Sequence, residues 1–205
     1  MLSFFDQDSS GEVVLDTSVI INLAGSGFGE QILASLPYQF LTTDIVRDEL
    51  FEGRMQGWNH SRIFESMIEA SLVSVHPISG EAEVIFEGLV IGEGFNTLDD
   101  GEASALAIAS PRSAFTVIDE NKAMRIARER FPEIRLISSC DLFRHPAVTS
   151  TLTHSELQQA VLTALSDSRM RVLEHNRDWV IKLIGTANAA RCSSLPKGVR
   201  AQVCR

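Results

Sequence analysis

Twice in this chain a short apolar run delivers a carboxylate to the point where a strand gives way to a helix. Val13-Val14-Leu15 leads to Asp16 and on into Thr17-Ser18-Val19-Ile20-Ile21-Asn22-Leu23, and Phe115-Thr116-Val117-Ile118 leads to Asp119 with Glu120 beside it. A charge carried into a core is costly unless it is paired, hydrogen-bonded or holding a metal. In an open α/β sheet, ligands bind beyond the carboxyl ends of the strands. Two such junctions on neighbouring parallel strands would set two carboxylates at one end of a sheet. The plainer account of each is a helix N-cap, and it stays open for both aspartates.

The rest of the chain alternates in the same way. Strands are expected at Glu12 to Leu15, Tyr38 to Leu41, Leu72 to Val75, Ala114 to Ile118 and Ile134 to Ile137. Helices are expected at Ser18 to Ala24, Glu30 to Leu36, Asp44 to Glu52 (capped by Thr43 and ended by Gly53), Ser61 to Ala70, Glu81 to Ile91, Asp100 to Ala109 and Glu120 to Arg130. Gly25-Ser26-Gly27 and Gly92-Glu93-Gly94 read as loops. This order predicts an α/β fold, a three-layer α/β/α sandwich around a parallel sheet. Beyond it, Thr153-x-x-Glu156 forms a capping box that opens a helix to about Leu165. A further helix is expected over Met170 to Ile184, then a polar tail from Gly185. The division is therefore a domain over 1–150 and a helical extension over 151–205.

Charge separates the two parts. Residues 1–150 carry 23 acidic and 10 basic side chains, a net −13, whereas residues 151–205 carry 4 acidic and 8 basic, a net +4. The overall −9 argues against a protein that simply coats nucleic acid. The three cysteines, Cys140, Cys192 and Cys204, lack Cys-x-x-Cys spacing and predict neither a disulfide framework nor structural zinc. Apolar runs fall short of the roughly 18 residues of a membrane helix, and no signal segment is visible, so a cytoplasmic protein without membrane contact is expected. The five histidines show no ligand spacing. Trp58 and Trp179 read as packed anchors and not as base-stacking platforms.

Two more acids complete a candidate site. On a helical wheel Glu49 falls between Ile45 and the apolar pair Val46 and Leu50, so its carboxylate points inward, either as a ligand or to pair with an arginine such as Arg125. Glu102 follows Leu98-Asp99-Asp100-Gly101 and shares a face with Leu106 and Ala109. Its spacing from Asp99 also fits a capping box. Four carboxylates, Asp16, Glu49, Glu102 and Asp119, would then converge. Bare, they raise one another's pKa values. A divalent cation resolves the conflict, and an all-oxygen donor set suits Mg²⁺ or Mn²⁺.

The pieces VVLDTSVIINL, TTDIVRDEL, LDDGEASALAIA and FTVIDENKAMRIA, in this order over about residues 12 to 139, resemble the PIN-domain nucleases, which include the VapC-type toxins of bacterial toxin–antitoxin pairs. The LDDGEA form is closer to a branch with an acidic-Gly-Glu signature. The resemblance implies metal-dependent hydrolysis of RNA phosphodiesters, with Asp16, Glu49, Glu102 and Asp119 as catalytic metal ligands. Asp100 and Glu120 are further candidate ligands, and Glu120 is an alternative to Asp119 as the fourth. Ser18 would bond a ligand carboxylate or the phosphate, as the Ser or Thr of this motif does in the family. Lys122 and Arg125, with Arg128, would meet the RNA backbone, or else form a solvated helix face.

As the toxin of such a pair, the protein would have an antitoxin partner and is expected to form a homo-oligomer, a dimer. Two rival readings belong to other classes. One is a non-catalytic PIN-like interaction module. The other is an aspartate-dependent phosphatase, which would be expected to carry a second aspartate where Ser18 stands. For residues 151–205 two helices are expected, packing on the domain or mediating self-association.

Overall fold

The computed structural model describes residues 11–55, 60–91, 94 and 96–202. Trp58, Gly92, Glu93 and Cys204, singled out above, lie outside them. The chain divides into two compact units, residues 1–20 with 37–137, and residues 21–36 with 138–205.

The first unit is a five-stranded, all-parallel sheet flanked by helices, with strands β1 (Glu12–Leu15), β2 (Gln39–Thr43), β3 (Val73–His76), β4 (Phe115–Val117) and β5 (Arg135–Ile137). The order is β3-β2-β1-β4-β5, so the earliest strand is central and the chain reverses its direction of progress across the sheet at β1 and β4. Central position explains its composition: Val13, Val14 and Leu15 are wholly buried, as both faces of a parallel strand must be. The register pairs Val13 with Phe40 on one side and with Phe115 on the other, and Leu15 with Val117. Asp16 and Asp119 thus leave the carboxyl ends of two hydrogen-bonded neighbours, at the kind of crevice where open α/β sheets bind ligands.

Helix α1 (Thr17–Gly25) follows Asp16 directly, and α2 (Gly29–Ser35) comes before β2. Helix α3 (Asp44–Met55) opens on Thr43, whose Oγ1 accepts from the Val46 amide at 3.1 Å. It does not end at Gly53 but continues to Met55. One interior glycine costs only about 1 kcal/mol against alanine, which packing readily offsets. Helices α4 (His60–Glu69), α5 (Glu81–Val90), α6 (Asp100–Ala109) and α7 (Asn121–Arg130) complete the unit. Helix α6 is enclosed from Ala103 to Ala109, and its small side chains allow the backbone to lie deep in the core. Ser104 Oγ meets Thr43 Oγ1 at 2.8 Å, tying α6 to the end of β2.

The second unit is helical: the end of α1, α2, α8 (Ser139–Phe143), α9 (Pro146–Thr151), α10 (His154–Ser166), α11 (Arg177–Ile184), α12 (Thr186–Arg191) and α13 (Lys197–Gln202). The capping box at Thr153 is present, with Thr153 Oγ1 accepting from Glu156 N and Glu156 Oε2 accepting from Thr153 N at 2.8 Å. The helix expected over Met170 to Ile184 instead begins at Arg177, after a 3₁₀ turn at Glu174–Asn176. Arg169 stands at φ 55°, and the Met170 amide bonds back to the Ala164 carbonyl, so the chain reverses there before any helix starts. The expected polar tail after Gly185 holds two short helices, α12 and α13. Half-buried Trp179 lines a cleft of about 350 Å³ with Leu152, Leu157 and Leu183. No helix among the described residues is long and apolar enough to cross a membrane. Neither Cys140 nor Cys192 is in a disulfide.

Candidate functional site

All four acids singled out in the sequence belong to the first unit. Asp16 is 2% exposed and does cap its helix: Oδ1 accepts from Val19 N at 2.7 Å. The exposed Ser18 hydroxyl donates to both oxygens, at 3.0 and 3.2 Å. Capping therefore engages mainly one oxygen, and the N-cap and ligand readings of this residue are compatible. Asp119 is 3% exposed, and the N-cap position of α7 falls to Glu120, whose side chain makes no cap hydrogen bond. Glu102 lies in the first turn of α6 and is half-buried. Asp99 precedes α6 but its side chain makes no cap hydrogen bond, so the expected capping box is not formed in full.

Their electrostatics are linked. Burial pushes the Asp16 carboxyl up to about 8 against the bonds from Val19 and Ser18, and the Asp119 and Glu102 carboxylates push it further. Burial likewise raises Glu102 to about 7, with Asp99 and Glu120 adding to the rise, while the Lys122 ammonium and a backbone bond from Asp99 oppose it. Asp16, Asp119 and Glu102 thus share one field with Glu120 and Asp99 at its edge. Such mutual repulsion in a desolvated setting is what a cation would relieve.

Glu49 stands differently. Oε2 accepts from the Thr17 hydroxyl and Oε1 from the Gly101 amide at 3.2 Å. Burial raises its pKa, the Thr17 and Gly101 bonds lower it, and Asp100 and Asp99 raise it. Its partner is not Arg125, which pairs with Glu129 at 3.0 Å on an exposed face of α7. Lys122 donates from Nζ to the Gly94 carbonyl at 2.8 Å. Thr17 and Gly101 were missed in the sequence, although a glycine between two acids was a signal that backbone is closely approached there.

Among the described residues, no group of three or more His, Cys, Asp or Glu side chains stands ready-made to enclose a metal. The donors are all oxygens, and Mg²⁺ keeps several waters while taking one or two carboxylates together with substrate phosphate. The residues present fit an open site of that kind and not a closed cage.

A parallel α/β sheet with buried acids past the carboxyl ends of its central strand β1 and the neighbouring β4 defines a class of acid-lined α/β domains. Within it, a family profile described as a PIN domain, DUF3368, matches residues 12–186, and the chain belongs to that family. A likeness of fold is found to a crystal structure of VapBC2 from Rickettsia felis bound to a DNA fragment from their promoter, at 16% identity and a TM-score of 0.41, covering 62% of this chain and 98% of that one. No curated protein shows significant similarity to the chain.

Proposed function

We propose that this PIN domain is a Mg²⁺- or Mn²⁺-dependent endoribonuclease that hydrolyses RNA phosphodiester bonds. The observation that supports it most is the shared field of Asp16, Asp119 and Glu102, two of them buried at the ends of hydrogen-bonded parallel strands. Bound there, a divalent ion would lower the pKa of attacking water and offset charge on the phosphate. Asp16, Asp119 and Glu102 would hold it, with Asp100 and Glu120 at the margin. Ser18 would keep the Asp16 carboxylate oriented through its two bonds. Lys122 and Arg125 on α7 would meet the RNA backbone. No side-chain nucleophile is required.

The test is cleavage of a mixed-sequence RNA by the purified full chain with Mn²⁺, against the same chain in EDTA and against Asp119→Asn. Manganese-dependent cleavage lost in both controls is expected. Cleavage that persists undiminished in Asp119→Asn refutes the assignment, and absence of cleavage with every divalent ion leaves the non-catalytic interaction module. In the toxin reading, expression arrests growth and a small antitoxin encoded beside the gene relieves it. A dimer is part of this proposal and is read by light scattering.

A further inference from the structure

Glu49 was expected to join the ligand set, and each of its oxygens accepts from a protein donor outside its own helix. The two donors come from separate elements: Thr17 opens α1 and Gly101 sits in the first turn of α6. Each is also the chain neighbour of an acid in the proposed ion site, Thr17 of Asp16 and Gly101 of Glu102. One carboxylate on α3 therefore fixes the backbone on which both acids are mounted. Its approach is close enough to dictate the residue at 101: a Cβ there would lie 2.5 Å from Thr17 Oγ1 and 2.7 Å from Glu49 Oε2, where real Cβ atoms do not sit. Glycine between Asp100 and Glu102 is thereby a steric requirement of the Thr17–Glu49 contact.

We propose that Glu49 is a positioning residue and not a metal ligand: with Thr17 and Gly101 it forms a clamp that sets the spacing of Asp16 and Glu102. The inference rests on the metal-dependent reading of the site. Asp16 takes its donors from the first turn of its own helix, whereas the two donors of Glu49 come from two other elements, so the charge-assisted bonds of Glu49, which are the firm kind, tie those elements together. Ligand orientation by such supporting contacts typically governs metal affinity by about 10- to 100-fold.

Glutamine distinguishes the two roles. Its carbonyl oxygen can accept from the Gly101 amide, and its amide nitrogen can donate to Thr17 Oγ1, since a hydroxyl is both donor and acceptor. The clamp survives Glu49→Gln, whereas a charged ligand is lost. Mn²⁺ binding to the full-length chain, measured by calorimetry and by the electron paramagnetic resonance of the bound ion, is the readout, and it does not depend on turnover. Glu49→Gln should stay within about 3-fold of wild type. Glu49→Ala, Thr17→Val and Gly101→Ala should each weaken binding about 10- to 100-fold, and Thr17→Val should add little once Glu49 is alanine, because the two act through one contact. Circular dichroism and melting of each variant without metal separates lost affinity from lost fold.

Mn²⁺ affinity in Glu49→Gln that falls as far as in Asp119→Asn overturns the clamp while leaving the nuclease reading intact. So does unchanged affinity in Thr17→Val and Glu49→Ala. If the wild-type chain binds no Mn²⁺, the metal-dependent reading fails and this inference falls with it.

Discussion

The Val19 amide donates to Asp16 Oδ1 at 2.7 Å, so the residue proposed to hold a cation also starts α1. The two duties separate by substitution. Asparagine is as good an N-cap as aspartate, whereas alanine loses the cap at about 0.5–2 kcal/mol. Asp16→Asn is expected to fold with little loss of stability and to lose cleavage by about 1000-fold, as removal of several kcal/mol of charge stabilisation implies. Asp16→Ala should lose both. Urea unfolding beside a Mn²⁺-dependent cleavage assay checks this, and an Asp16→Asn chain that cleaves normally ends the ligand role.

The same residue shows how far the sequence could be read. The parallel sheet, its flanking helices and the position of Asp16 and Asp119 past their strands follow from local patterning, since β-branched runs and helix caps act within a few residues. Glu49 could be seen to point inward, because the wheel placed it between Ile45 and Leu50. What it touches could not be seen. Thr17 and Gly101 lie 32 and 52 positions away, and only the packing of α3 against the starts of α1 and α6 brings them to it. In the second unit, Ser138-x-x-Asp141 has capping-box spacing and does open α8, but it follows the last strand so directly that no loop separates the two elements. Met170 to Leu173 carries a helical pattern that the turn at Arg169 overrides.

Stability should fall with rising pH in the metal-free chain. Asp16, held at about 8, and Glu102, at about 7, keep protons in the folded state that the unfolded chain has already released above about pH 4. From there to about pH 8 the folded state binds more protons, so each rise in pH favours unfolding. The melting temperature is expected to be higher at pH 5 than at pH 8, and Asp16→Asn should flatten the difference. Mg²⁺ should raise it more at pH 8, because ligation requires the released carboxylates. A melting temperature that climbs from pH 5 to pH 8 without metal contradicts the shared acid field.

Lys122 has two expected effects that one substitution reveals. Its ammonium opposes the rise in the Glu102 pKa. Lys122→Met therefore moves the pH midpoint of Mn²⁺ binding upward. Were the lysine also bonded to an RNA phosphate, as proposed, the salt dependence of binding to single-stranded RNA should flatten by about 0.7 in log–log slope. Binding of a non-cleaved RNA by Asp119→Asn, with and without Lys122→Met, measures the second effect apart from turnover. An unchanged slope confines Lys122 to tuning Glu102.

The second unit turns on Asn176, which is wholly buried. Its Nδ2 donates to Ser138 Oγ at 2.9 Å and to Asp141 Oδ1 at 3.2 Å, and its Oδ1 accepts from Arg144 at 2.9 Å. Asp141 Oδ2 in turn accepts from the Ser138 amide at 2.9 Å, closing the box that opens α8. These bonds join the entry to α8 with the turn before α11. Removing one member leaves buried polar atoms unpaired, which costs about 1–3 kcal/mol apiece because water cannot replace the partner. Asn176→Ala should thus lower unfolding free energy by about 3 kcal/mol, while the exposed Arg191→Ala stays within about 0.5 kcal/mol of wild type. Equal stability of the two variants in urea would mean that water reaches Ser138 and Asp141 once the amide is gone. The reach of the damage matters as well: because Asn176 belongs to the second unit, its loss should leave Mn²⁺ affinity at Asp16 and Asp119 unchanged under conditions where the chain is folded.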